Sequence, residues 1–199
     1  MIITISREYG AGGHTIGKRV AEELGFEFYD KDIIRAAVRE SGMEMEEIRQ
    51  VEEEISRTEM FLRMISPAAY VDHQNSIRSI EQRSIVEFAL KGPCVILGRS
   101  ADDILEKAGL LSLNIFLYAS EIHRAVRVGS LIGSDNPTEI QKKMHKTDAA
   151  RRAYYESFTG KKWGDSKNYH LCLDTGILGY DACVKLICEA ARSAEAFRE

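Results

Sequence analysis

No apolar run in the chain approaches the roughly 18 residues that a membrane-spanning helix needs, so the sequence offers no transmembrane helix. The N-terminus lacks a basic stretch followed by an apolar one; no secretory leader is expected, and the reading is a cytoplasmic protein. An excess of one charge is missing as well. The 27 Lys and Arg face 31 Asp and Glu, a formal charge of −4, without the basic footprint of a nucleic-acid binder. No C-x-x-C pair occurs among Cys94, Cys172, Cys183 and Cys188, and no His stands beside them at ligand spacing, which argues against zinc. Buried, reduced thiols are the expectation, with Cys94 and Cys172 in strands and Cys183 on a helix face beside Val184 and Ile187. Internal repeats and low-complexity tracts are absent.

What is present is a globular composition, 44% apolar over 199 residues, enough for one domain with a sizeable core. Short apolar runs read as five strands: Ile2–Ile5, Phe26–Tyr29, Cys94–Leu97, Leu113–Tyr118 and Leu171–Leu173. Helical periodicity separates them. Ile16, Val20 and Leu24 repeat every four residues; Ile34, Ala37 and Val38 form the face of a helix capped by Asp30 or Asp32; and Tyr180, Cys183, Val184, Ile187 and Ala191 mark a closing helix. Further helices are expected over 44–57, 76–90, 120–131 and 137–158, with a mobile connection around Pro67. Strands alternating with helices give an α/β class, a doubly wound five-stranded parallel sheet, with ligands bound at the C-terminal strand ends. The expectation is a single domain over 1–199 with a helical insertion at about 41–90 and a lid at about 136–167.

The first strand runs into a glycine-rich turn, Ser6-Arg7-Glu8-Tyr9-Gly10-Ala11-Gly12-Gly13-His14-Thr15. Strand, glycine turn and helix N-terminus form the setting in which backbone N–H groups and the helix dipole bind phosphate. Against the pattern G-x-x-x-x-G-K-[ST], Arg7 stands where the first Gly would be and Gly12 is in place. Gly13 stands where the Lys would be, His14 adds a residue, and Thr15 supplies the hydroxyl. A tight turn with no ligand is the alternative.

Charged residues gather at the other strand ends: Asp30 and Arg35 after the second, Arg99 after the third, Glu121, Arg124 and Arg127 after the fourth. Several guanidiniums on one crevice suit an anionic substrate. Arg35 as an exposed helix residue and Arg124 paired on its own helix are the plainer alternatives, whereas Arg99, directly after an apolar strand and a Gly, stands where α/β sites are built. A second basic concentration, Lys142 to Lys167 with Arg151 and Arg152, reads as a phosphate-covering lid, although Asp148 and Arg152 are also spaced for a helix ion pair. The glycines of Thr159-Gly160-Lys161-Lys162-Trp163-Gly164 could hinge such a lid or simply form a loop.

Taken together, I-S-R-x-x-G-A-G-G at the start, Tyr29-Asp30, Gly98-Arg99, Arg124-Ala125-Val126-Arg127 and G-K-K-W-G-D near the end resemble the cytidylate kinase-like family. Residues 2–17, 94–105 and 146–178 carry the likeness. The resemblance implies a P-loop nucleotide kinase fold and transfer of a phosphoryl group from Mg-ATP to a nucleoside monophosphate, a CMP-like acceptor being favoured. It implies that Gly10, Gly12, Gly13, His14 and Thr15 surround the ATP phosphates, with the Thr15 hydroxyl on Mg²⁺. Asp30, Arg35 and Arg99 would face the acceptor, Asp30 orienting it, while Arg124, Arg151 and Arg152 neutralise the transferring group. With no Lys in the loop, Arg7 or Lys18 could carry the charge, and Arg7 is favoured because it enters the loop directly. A non-catalytic nucleotide-binding regulator and a kinase of another small metabolite are the competing readings. No nucleic-acid or membrane partner is expected; the acidic helix at 44–57 could pack on its own core or on a second copy.

Overall fold

The computed structural model describes residues 1–30, 79 and 81–196. The chain divides into two compact units, residues 1–30 with 91–199, and residues 31–90. Within the second unit the described residues are helical, and Ile85, Phe88 and Ala89 are buried as the spacing predicts. Arg35, the helices expected after Asp30 and over 44–57, and the connection around Pro67 lie outside the described residues.

The first unit is built on five strands: β1 (Ile2–Arg7), β2 (Glu27–Tyr29), β3 (Cys94–Leu97), β4 (Leu113–Tyr118) and β5 (Leu171–Asp174). They form one parallel sheet in the order β2-β3-β1-β4-β5. β1 is the centre, Ile5 lying beside Leu97 of β3 and Ile115 of β4. Because every pair is parallel, all five strands deliver their last residues to one edge.

The helices are α1 (Gly13–Leu24), α2 (81–91), α3 (Ala101–Lys107), α4 (Glu121–Ile132), α5 (Pro137–Thr159) and α6 (Thr175–Ala196). β3 is a continuous apolar run, and β1 is buried from Ile2 to Ser6, because both of their faces are covered. On one face Ile16 and Val20 of α1 meet Val184 and Ile187 of α6 over Ile3, Ile5 and Ile115, all but Val184 wholly buried. Each such side chain contributes about 1.5–3 kcal/mol by leaving water. On the other face a smaller aromatic cluster joins Phe116, Tyr155, Trp163 and Tyr169. Gly179, with φ 73° and ψ 164°, breaks the first turn of α6 from the rest, so the long helix begins at Tyr180 as its periodicity predicts.

Cap chemistry separates the helices. Asn136 accepts from the N–H groups of Thr138 and Glu139 ahead of Pro137, closing the start of α5, and Ser120 accepts from His123 at the start of α4. The cap of α1 is Gly12, which has no side chain to offer. That helix begins at the end of the central strand.

Candidate active site

The loop between β1 and α1 is shaped by close contacts. The Ala11 N–H donates to the Glu8 carbonyl at 3.3 Å, closing a tight turn. Gly12 has φ 77°, and a Cβ there would lie 2.3 Å from the Tyr180 ring. Gly10 has φ 88° and would meet the Arg124 carbonyl at 2.8 Å. Both positions therefore exclude any side chain, on backbone conformation and on space. Beyond them α1 presents its first N–H groups without a side-chain cap, the condition under which a helix start receives an external anion.

Side chains around this start are mixed in character. Thr15 Oγ1 lies 3.4 Å from Arg127 Nη2. His14 is exposed; its Nε2 is 3.9 Å from Asp30 Oδ2 and its ring stands edge-on to Phe28. Asp30, at the end of β2, is thereby brought beside the loop.

Three arginines gather where β1 and β3 end. Burial first, then the neighbouring Arg151, then Arg99 lower the pKa of the Arg7 guanidinium to about 9, while Asp30 acts the other way. It remains a cation at neutral pH, in surroundings that favour an anion. Arg151 donates through Nη1 to the Arg7 carbonyl at 2.9 Å and lies 5.5 Å over the Tyr9 ring. Burial likewise lowers the Arg151 pKa, with Asp148 opposing. Arg99 sits in a run of three left-handed residues, Gly98, Arg99 and Ser100, with φ of 81°, 62° and 51°. Such a turn costs energy at non-glycine positions and is characteristic of sites where a side chain must be aimed.

Arg124 has a different environment from the one its motif suggests. It is buried and held on several sides: Nε reaches the Ala119 carbonyl at 3.2 Å and Glu8 Oε2 at 3.3 Å. Its Nη1 donates to the Tyr9 carbonyl at 3.2 Å and to Asp148 Oδ2 at 2.5 Å. The other Asp148 oxygen accepts from the Tyr9 N–H at 2.7 Å. Glu8 completes the knot by accepting from the Ala119 N–H at 3.3 Å; burial raises its pKa although Arg124 opposes this. Asp148 is thus not the helix ion-pair partner of Arg152 that its spacing allowed. Arg152 is exposed and lies 5.7 Å over the Trp163 ring.

The basic segment after α4 is tied down along its length. Asp148 and Arg151 hold α5 to the loop, and the Tyr155 hydroxyl donates to the buried Asp102 at 2.7 Å. Burial raises the pKa of the Asp102 carboxyl, with the Tyr155 bond opposing. Trp163 packs edge-on against Phe116 at 5.4 Å, and Lys161 pairs with Asp103 and Glu106. The G-K-K-W-G-D tract is therefore an anchor between α5, α3 and β4. Sequence reasoning missed Glu8, Tyr9 and Asp148 as partners of Arg124, and Asp102 as a partner of α5; an acidic residue directly after a strand and one inside a basic helix were the available signals. Among the described residues no group of three His, Cys, Asp or Glu is placed to hold a metal ion, and no helix is long and apolar enough to cross a membrane.

The sequence pattern of the cytidylate kinase-like family matches residues 2–177. The cytidylate kinase of Aeropyrum pernix is 25% identical over 190 residues, 94% of this chain and 97% of that protein. Among solved structures, an uncharacterized protein from Eubacterium ventriosum shares the fold with a TM-score of 0.73 at 24% identity, over 97% of this chain and 99% of the other. Shikimate kinase from Bacteroides thetaiotaomicron does so with a TM-score of 0.55 at 15% identity, over 96% and 98%. The fold is that of the P-loop kinases. With its sequence pattern matched almost from end to end, the chain belongs to the cytidylate kinase-like family.

Proposed function

We propose that the protein is a kinase that moves the γ-phosphoryl group of Mg-ATP to a nucleoside monophosphate, with a CMP-like acceptor favoured. The observation that carries this reading is the uncapped start of α1 set beside the guanidiniums of Arg7, Arg99 and Arg151 at one edge of a parallel sheet. The name of the Aeropyrum pernix relative supports the acceptor class. The loop suits a polyphosphate, because Gly10 and Gly12 take the left-handed backbone that turns the chain tightly into the uncapped start of α1.

Gly10, Gly12, Gly13 and the first turn of α1 would hold the ATP phosphates through backbone N–H groups, with Thr15 Oγ1 as the Mg²⁺ ligand. Bound Mg-ATP supplies the phosphoryl group, which gains a bond to an acceptor phosphate oxygen as its bond to the departing ADP breaks. Arg151 and Arg99 neutralise charge on the transferring and acceptor phosphates. Asp30, held near His14, orients the acceptor, and Arg35 is assigned to the acceptor by family resemblance. Arg124 acts through the loop backbone that it fixes, and Arg152 through Trp163. An acceptor phosphate is already ionised, so this chemistry needs no strong general base.

A nucleotide-binding protein without transfer is the second reading, favoured by Gly13 at the place of the usual Lys. Purified protein with Mg-ATP and CMP, dCMP, UMP, AMP or GMP, resolved chromatographically, separates the two. We expect transfer to one pyrimidine monophosphate, reduced at least about 100-fold in Arg151→Ala. ATP binding with no transfer to any acceptor in the panel would reject the nucleotide kinase.

A further inference from the structure

We propose that the cation serving the ATP phosphates enters from the strand side, Arg7 passing across Gly13, which is glycine to let it through, and resting against Gly98; this rests on the kinase reading above. The usual P-loop cation rises from the first turn of the helix, at the position that Gly13 holds here. That position is not simply vacated. A Cβ on Gly13 would lie 2.7 Å from Arg7 Cγ and 3.2 Å from its Cβ and Cδ. A Cβ on Gly98 would lie 2.2 Å from Arg7 Nη1. The stem of Arg7 therefore runs beside the start of α1, and its guanidinium comes to rest against the turn after β3.

Where that side chain begins is fixed. Arg7 is the last residue of the central strand, beside Leu117 of β4, and its carbonyl is held by Arg151. Gly13 has no positive φ to require glycine, so the stem of Arg7 is the physical reason for its identity. A lysine at 13 and an arginine at 7 compete for one space. The loop thus carries its charge at the opposite end from the standard pattern. The burial and like charges around Arg7 are relieved by an anion bound among Arg7, Arg99 and Arg151.

The test uses calorimetric binding of Mg-ATP and of inorganic tripolyphosphate to the full chain without acceptor, at several salt concentrations. Arg7→Gln keeps the stem and removes the charge. We expect it to weaken both ligands by about 10- to 100-fold and to flatten the salt dependence. Gly13→Lys in the Arg7→Ala background should recover at least about tenfold of the loss, whereas Gly13→Lys alone should bind no better than the native chain. Arg7→Gln binding tripolyphosphate as the native chain does would overturn the assignment and leave the kinase reading standing. A folded double variant with no recovery would also overturn it. A native chain that binds neither ligand would overturn both. Thermal melts show whether each variant is folded; if Arg7→Gln is not, Arg7→Lys decides in its place, with affinity retained within about tenfold expected and full loss counting against.

Discussion

At the residue scale the arginines divide by what surrounds them rather than by the motif that contains them. Arg124 and Arg151 both stand in basic patterns, yet among the described residues Arg124 spends its donors on Glu8, Asp148 and two carbonyls, while Arg151 gives one to the Arg7 carbonyl. Asp148 is the hinge of this division, since it neutralises Arg124 and takes the Tyr9 N–H at once. Asp148→Ala should therefore leave the Tyr9 N–H unmatched and Arg124 with Glu8 alone as its described carboxylate, costing about 1–3 kcal/mol in chemical denaturation. A loss below about 1 kcal/mol would show that water replaces the carboxylate. None of this was legible in the sequence. The strand ends and the glycine turn were, because they follow from local periodicity and φ preference; which guanidinium is sealed and which is open depends on contacts 24 to 144 residues apart in sequence.

At the element scale α5 is the informative piece. The sequence predicts a polar helix over 137–158, and the fold closes it with Asn136-Pro137 at one end and Gly160 at the other. Its basic composition reads as a phosphate-covering lid, and the fold adds fastenings at Asp148, Arg151, Tyr155 and the Trp163 anchor that the sequence did not display. Trp163→Ala should remove the aromatic anchor at a cost of about 3–5 kcal/mol. Hydrogen exchange should then quicken across the end of α5 and the tract after it, with the α1–α6 side of the sheet unaffected. Uniform quickening through the whole sheet would instead mean that the aromatic cluster is part of the central core. Either result bears on the proposed transfer, since α5 carries Arg151.

At the scale of the whole molecule, the cysteines give a gauge of integrity. Three of the four are buried, Cys94, Cys183 and Cys188, and burial raises Cys94 and Cys188 to about 11. Thiolates, the reactive form, are thus scarce at neutral pH, and the sequence expectation of inert thiols was readable from their apolar neighbours. With an aromatic disulfide reagent, Cys172 should react first and the other three only at the rate at which the fold opens. Rapid labelling of all four in the native state would contradict the packing described. The parallel order of the sheet was equally readable, because continuous apolar strands alternating with helices admit few topologies.

The ring of Tyr180 beneath Gly12 has a consequence for how the protein comes into being. The glycine loop leaves the ribosome well ahead of the floor it rests on, because Tyr180 lies far downstream of Gly12. Domains emerge from the N-terminus forward, so the loop must wait, unfinished, until Tyr180 has followed it out. A nascent chain stalled before Tyr180 has its central strand and its glycines but no surface to mould them on. The shape of the loop is therefore completed only when α6 arrives, and a chain ended before Tyr180 lacks the contact that moulds it.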